Sequence, residues 1–286
     1  MMDPIRRLML KLVPMLALST NALAAPRVKR MPVLFIGHGS PMNALADSDY
    51  TRMLRTMGMR LPRPRAILVV SAHWQTDWVT SVMANERPET LHDFGGFPPE
   101  LSRVEYPAPG TPELAALARE LVGDSAKLST DWGLDHGTWS VLKHLYPAAD
   151  IPVFQVSIDM MQSGVYHWNV GKALSELREQ GVLIVASGNI VHNLRMTEGG
   201  ILTEPVASRP WAQGFDDQVA AALGQRDDKR LQAVQTLPYA REAVPMPDHY
   251  WPLMYALGAA YNDGPPATLF DGFQSGTISM RCLKFG

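Results

Sequence analysis

The sequence of 286 residues contains a single cysteine and no long run of basic charge beyond its N-terminus. Cys282 alone excludes an intramolecular disulfide and a zinc site built on several thiolates, so a metal ion would need histidine or carboxylate ligands. A formal net charge of −2 argues against nucleic acid and an anionic membrane surface as partners. Since the apolar stretch at residues 8–18 is shorter than the roughly 20 residues that cross a bilayer, we expect no stable membrane insertion.

The N-terminal segment has the three parts of a secretory signal in the usual order. Arg6 and Arg7 supply positive charge, residues 8–18 are mostly apolar, and Ala-Leu-Ala at residues 22–24 fits a small-residue cleavage site. The paired arginines also resemble a twin-arginine export signal. We therefore predict that residues 1–25 are a signal peptide and that the mature protein is periplasmic. A wrongly assigned start codon, with a cytoplasmic protein, is the alternative.

Short apolar runs alternate with amphipathic segments between residues 31 and 286, which predicts one catalytic domain. Strands are predicted at residues 32–37, 66–72, 79–83, 152–158, 182–187, 267–273 and 277–285. Helices are predicted at residues 49–59, 111–121, 139–146, 165–180, 210–223 and 249–261, with a long ordered loop at residues 86–110. This order predicts an α/β fold whose central, mainly parallel sheet carries helices on both faces. The last two strands would form an antiparallel edge.

Three of the eight histidines follow apolar strands. His38 comes after VLFIG, His73 after AILVVSA, and His192 after VLIVASGNIV. Because α/β sheets bind ligands at the carboxyl ends of their strands, this repeated placement predicts one shared site. Taken singly, each histidine would be better interpreted as an ordinary hydrogen-bonded loop residue.

Two further histidines stand beside aspartates near predicted helix starts. Asp135 could fix the tautomer of His136, as a general acid or base requires; alternatively, Asp135 caps the helix and His136 faces solvent. His249 follows Asp248 and could be a fourth metal ligand or part of a pocket wall, unless Asp248 only caps.

Other side chains near these positions have simpler interpretations. Trp74 beside His73 offers a large apolar wall, and His92 lies in the glycine-rich loop where it could contact substrate. His144 and His167 lie in helical patterns without polar neighbours, which favours structural or surface roles. The sequence contains no G-x-S-x-G, G-x-G-x-x-G or H-E-x-x-H motif, so a serine hydrolase, a dinucleotide site and a zincin helix are not supported.

Seven segments, in matching order from about residue 31 to residue 285, resemble the DOPA 4,5-dioxygenase branch of the class III extradiol ring-cleavage dioxygenases. Each motif is weak by itself, but the ordered set is specific. The segments are GHGSPMNAL (37–45), SAHW (71–74), HDFGGFP (92–98), YPAPG (106–110), LDHGTWSVL (134–142), ASGNIVHNLR (186–195) and the His249-Tyr250 pair.

The resemblance implies a metal-dependent enzyme that cleaves a catechol ring with O₂. It implies a non-haem divalent metal, Fe(II) for turnover with Zn(II) often bound in its place. It implies that His136 acts in acid–base chemistry or contacts substrate. The metal-site histidines it implies are His38, His73, His192 and His249. From the residues themselves we predict that aromatic side chains, Trp74 and Phe94 among them, form an apolar slot for the ring and that His92 contacts substrate.

One feature departs from the wider superfamily, in which two histidines and a glutamate often hold the metal. No glutamate stands at a strand end here, so the third ligand is open between His249, His192 and an unrecognised carboxylate. Two rival functions use the same histidines: a zinc hydrolase and a non-catalytic periplasmic metal-binding protein. Only the dioxygenase needs Fe(II) and consumes O₂.

Overall fold

The structure is a computed structural model that describes residues 30–197, Thr203 and residues 206–286. The predicted signal peptide, residues 1–25, lies outside the described residues. The strands are β1 (Val33–Gly37), β2 (Ala66–Thr76), β3 (Thr80–Met83), β4 (Ala126–Ser129), β5 (Val153–Asp159), β6 (Val182–Gly188), β7 (Ala267–Phe270), β8 (Phe273–Gln274), β9 (Ile278–Ser279) and β10 (Cys282–Phe285). The helices are α1 (Asp49–Arg60), α2 (Pro112–Val122), α3 (His136–Leu145), α4 (Gly164–Leu174), α5 (Pro210–Gln225), α6 (Asp228–Gln232), α7 (Ala240–Ala243) and α8 (Trp251–Ala259).

The central sheet has the strand order β4-β3-β5-β2-β6-β1-β10-β7. Strands β5, β2, β6 and β1 are parallel neighbours, whereas β10 and β7 add an antiparallel edge. The parallel strands are buried along almost their whole length, which explains why they read as continuous apolar runs. The predicted α/β class, with one domain and a mainly parallel sheet flanked by helices, is confirmed.

The two predicted C-terminal strands each divide into two. Strands β7 and β10 pair in the main sheet, but β8 and β9 form a separate small hairpin. Gly272 has φ +132° between β7 and β8, and Gly276 has φ +68° in the turn that joins β8 to β9. Glycine adopts these backbone angles without a steric penalty, so the chain leaves the sheet there.

Helices pack tightly behind the strand ends. Helix α8 contacts β1, β2 and β6 and packs along α4. Helix α3 contacts β2 and β6, and α1 packs against it. A Cβ at Gly258 would lie 1.9 Å from the carbonyl oxygen of Trp168, and one at Gly171 would lie 2.2 Å from that of Tyr255. These glycines therefore permit a close α4–α8 contact. In the described part of the chain, no helix is long and apolar enough to cross a membrane.

Candidate metal centre

The strand-end histidines meet at one edge of the sheet, where parallel strands end. His38 directly follows β1, and its backbone N–H donates to Gly188 O at the end of β6. His73 lies inside β2, because that strand continues to Thr76 past an irregular register between Val70 and Gln75. The loop after β6 brings His192 to the same edge, where it forms an isolated bridge with Ile278.

His38, His73 and His249 have the mutual spacing expected of three ligands around one ion. The Nε2 atoms of His38 and His73 are 3.2 Å apart. The ring centroids are 5.1 Å apart for His38–His73, 5.3 Å for His38–His249 and 5.0 Å for His73–His249. Imidazoles bound to one ion at about 2.1 Å, with angles of about 90–110°, have centroids roughly 4.6–5.3 Å apart. The donor set therefore fits a metal ion.

His136 and His192 pack directly on rings of this trio. The His73–His136 centroids are only 3.8 Å apart, and the His192 and His249 rings stack at 3.5 Å with planes 6° apart. By proximity of ring nitrogens, the group that could hold a metal is instead His38, His73 and His136, since one nitrogen of each lies within 4.8 Å of the others. Ring spacing favours His249 over His136, because centroids 3.8 Å apart, as in the His73–His136 pair, are too close for two imidazoles on one ion.

A serine fixes the tautomer of His38. The Ser187 hydroxyl donates to Gly137 O at 2.6 Å and therefore accepts from His38 Nδ1, 3.0 Å away. A hydroxyl has only one hydrogen to donate, so Nδ1 of His38 carries the proton. Its Nε2 lone pair is then free on the side that faces His73.

Two aspartates support the other rings. Asp93 Oδ2 lies 2.9 Å from His136 Nδ1 and 3.4 Å from His73 Nδ1. Asp248 Oδ2 lies 3.0 Å from His249 Nδ1. A carboxylate behind a histidine orients the ring and leaves Nε2 free to bind a metal or to accept a proton.

The histidines have their metal-binding protonation state at neutral pH. Burial lowers the pKa of His38, His73 and His192 below the usual value, and the neighbouring histidines lower it further. These rings are therefore neutral at pH 7, with lone pairs available.

The two supporting aspartates remain ionised. Burial alone would raise the pKa of Asp93 and Asp248, but hydrogen bonds from His136 and His249 outweigh it and leave each pKa below its usual value. Each aspartate can therefore offset positive charge on the ring in front of it.

The prediction that Asp135 orients His136 is wrong. Asp135 caps α3 by accepting from Thr138 N, and it accepts from the Ser71 hydroxyl at 2.6 Å. Asp93, in the glycine-rich loop, orients His136 instead, through both its backbone N and its Nδ1.

The histidines line a cavity of about 330 Å³, here called the histidine cavity. Its volume exceeds the roughly 150 Å³ of a cavity that binds benzene, so an aromatic ring fits inside. The other walls are mostly apolar, apart from Ser40 and Asp248. The lining side chains are His38, Ser40, Pro41, His73, Phe94, Phe97, His136, His192, Leu194, Asp248, His249 and Ile278.

Of the predicted substrate contacts, only Phe94 lines the histidine cavity. Trp74 is buried and stacks on Trp132 with ring centroids 6.0 Å apart. The His92 ring nitrogen Nε2 lies 3.0 Å from Val104 O, and its ring packs near Phe94. Neither Trp74 nor His92 therefore lines the cavity, although His92 packs near a residue that does.

The two histidines predicted to be structural are buried away from the cavity. His144 Nε2 is 2.8 Å from Asn43 O, and His167 Nδ1 is 3.2 Å from the Tyr255 hydroxyl. Both bond to groups inside the core, which agrees with a packing role.

A mainly parallel α/β sheet that gathers histidines, several of them backed by carboxylates, at its strand ends defines a metal-binding enzyme of the α/β class. The sequence profile of the catalytic LigB subunit of aromatic ring-opening dioxygenase matches residues 33–279. The chain therefore belongs to this family, and it is an extradiol catechol dioxygenase.

Similar proteins cover nearly the whole chain. It is 45% identical over 262 residues to the 4,5-DOPA dioxygenase extradiol of Escherichia coli (strain K12), covering 90% of this chain and 95% of that one. It is 38% identical to the protein of the same name from Beta vulgaris, with coverages of 88% and 95%. A solved structure of an uncharacterized protein from Escherichia coli K12 is similar with a TM-score of 0.77 and 41% identity, covering 90% of this chain and all of that one.

Proposed function

We propose that this dioxygenase cleaves a DOPA-like catechol with O₂ at a divalent metal held by His38, His73 and His249. The observation that carries the proposal is the near-equal spacing of these three rings, with centroids 5.0–5.3 Å apart. As Fe(II), the ion would supply Lewis acidity and electron transfer between catechol and O₂. The names of the similar proteins support a DOPA-like substrate.

His136 is suited to take a proton from a catechol hydroxyl. It lines the histidine cavity, and because Nδ1 donates to Asp93, its Nε2 is the free basic atom. The ionised carboxylate of Asp93 then stabilises the imidazolium that forms. This arrangement supports the acid–base role that the sequence predicts for His136.

His192 is suited to act beside the ion instead of binding it. Its ring is stacked on His249 at 3.5 Å, which is too close for two ligands that radiate from one ion. The ring is neutral, borders the cavity and has no carboxylate behind it in the described chain. The apolar side chains Phe94, Phe97 and Leu194 line the cavity, so they would reduce the contact of these proton transfers with water.

Oxygen uptake tests the function and the metal. We expect protein reconstituted anaerobically with Fe(II) to consume one O₂ for each catechol, with loss of the catechol absorbance. The same protein loaded with Zn(II) should consume none, because Zn(II) cannot change oxidation state. Hydrolytic activity with Zn(II) in the absence of O₂ would instead establish the zinc hydrolase, and metal binding without turnover of any catechol would establish a binding protein.

We also propose that the protein is exported and cleaved near Ala25. The signal-like order of residues 1–25 supports this, and β1 begins only at Val33, so removal of the segment leaves every described strand intact. N-terminal sequencing of protein from its native host should find a chain that starts near Ala25. Replacing Arg6 and Arg7 with lysine should retain it in the cytoplasm, and an intact Met1 on cytoplasmic protein would contradict export.

A further inference from the structure

Asp248 is the single aspartate, glutamate, lysine or arginine on the described wall of the histidine cavity. Apart from the histidines, Phe94, Phe97, Leu194 and Ile278 supply most of the remaining side chains, and none of these four can pair with a charged group. A substituent that points away from the histidines therefore meets one carboxylate on a largely apolar surface.

Asp93 and Asp248 each accept a hydrogen bond from a histidine ring, but only Asp248 lines the cavity. Asp93 uses both oxygens on His136, with the backbone N on Oδ1 and Nδ1 on Oδ2, and it does not line the cavity. The side-chain hydrogen bonds of Asp248, from His249 at 3.0 Å and Gln75 at 3.4 Å, both end on Oδ2. No side chain therefore occupies Oδ1 of Asp248.

Asp248 also lacks a permanent cation as partner. Within the described residues its ion pair is with His249, and no lysine or arginine pairs with it. Arg195, close along the chain to the lining residue Leu194, is exposed and does not line the cavity. The carboxylate can therefore accept a charged donor from a bound molecule.

We infer that Asp248 binds an ammonium group on the substrate's side chain, so that the site selects catechols with a cationic substituent over those with an anionic one. The inference rests on the proposed function and names the substrate class more closely. An ammonium would add a charged donor to a carboxylate that accepts side-chain hydrogen bonds only on Oδ2, whereas a carboxylate substituent would face like charge with no lysine or arginine on the described wall.

The experiment compares four 4-substituted catechols that differ in charge: dopamine, DOPA, 4-ethylcatechol and 3,4-dihydroxyphenylpropionate. For the Fe(II)-loaded wild type, we expect kcat/KM for dopamine to exceed that for the propionate by at least about tenfold, the scale of one hydrogen bond to a charged group. In Asp248→Asn this ratio should fall toward one. Asparagine keeps an acceptor oxygen for His249, so the ring remains oriented.

Asp93→Asn is the matched control. The side chains of Asp93 and Asp248 are similarly exposed, 18% and 16%, and both support a histidine. Asp93→Asn should slow all four substrates together and leave the dopamine-to-propionate ratio unchanged. If both aspartates only oriented their histidines, the two variants would have the same dopamine-to-propionate ratio.

A binding measurement separates this inference from the proposed function. Calorimetry of Zn(II)-loaded protein under anaerobic conditions should show tighter binding of dopamine than of the propionate, and the difference should disappear in Asp248→Asn. If no catechol supports oxygen uptake but this binding difference holds, the proposed function fails and the inference stands. A wild-type preference for the propionate, or a preference unchanged in Asp248→Asn, overturns the inference.

Discussion

Replacement of His73 with alanine is expected to abolish turnover and to remove the bound metal while leaving the fold intact. Its Nε2 lies 3.2 Å from that of His38, so the variant would lose one of the proposed metal ligands. Loss of an outer partner of a metal ligand already costs about 10–100-fold in metal affinity, and loss of the ligand itself should cost more. The fold should persist because His73 lies near the end of β2, beyond the strand's apolar run from Ala66 to Val70.

Metal analysis, oxygen uptake and thermal unfolding of the same preparation test this expectation. His92→Ala is the matched control, since His92 lies in the same region but bonds to Val104 O and does not line the cavity. It should retain its metal. A His73→Ala protein with full metal content and full turnover would remove His73 from the ligand set.

His136→Ala and His249→Ala are expected to fail in different ways. His136→Ala should keep the metal and lose about 10²–10⁴-fold in kcat, the usual contribution of a general acid or base. His249→Ala should lose the metal together with activity. The reason is ring spacing: His249 stands 5.0 Å from His73, as a second ligand would, whereas His136 packs against it at 3.8 Å.

The metal content of these two variants decides between the alternative ligand sets. If His136→Ala is metal-free and His249→Ala is loaded, the ion is bound by His38, His73 and His136, whose ring nitrogens lie within 4.8 Å of one another. A pH profile of kcat adds a second readout. The limb due to the catalytic base should disappear in His136→Ala, but a purely structural role would leave it in place.

The buried centre of the fold could be predicted from the sequence because it is apolar on both faces. Strands β1, β5 and β6 appear within a residue of their predicted bounds, and the helix predicted from residue 49 agrees with α1. Strand β4 was not predicted, because its four residues are partly exposed and lack an apolar run. The short helices α6 and α7 span barely one turn each, too little for a helical period to be visible.

The histidines of the site could also be predicted, but the aspartate that supports His136 could not. Strand-end position is a local signal, so His38 and His73 were identified from their own neighbours. Asp93 is 43 positions from His136, and only the folded chain brings the two together. Adjacency pointed to Asp135 instead, whose carboxylate is used by the start of α3.

The close packing of α8 against α4 bears on which metal the protein carries. His249 stands just before α8, where its backbone O accepts from Asn189 N, and a Cβ at Gly188 would come within 2.3 Å of that oxygen. The core therefore fixes the backbone that carries His249. Imidazole ligands alone generally favour Zn(II) over Fe(II), so the ligand type does not by itself select iron. Iron occupancy would then depend on where the chain folds and which ion is available there.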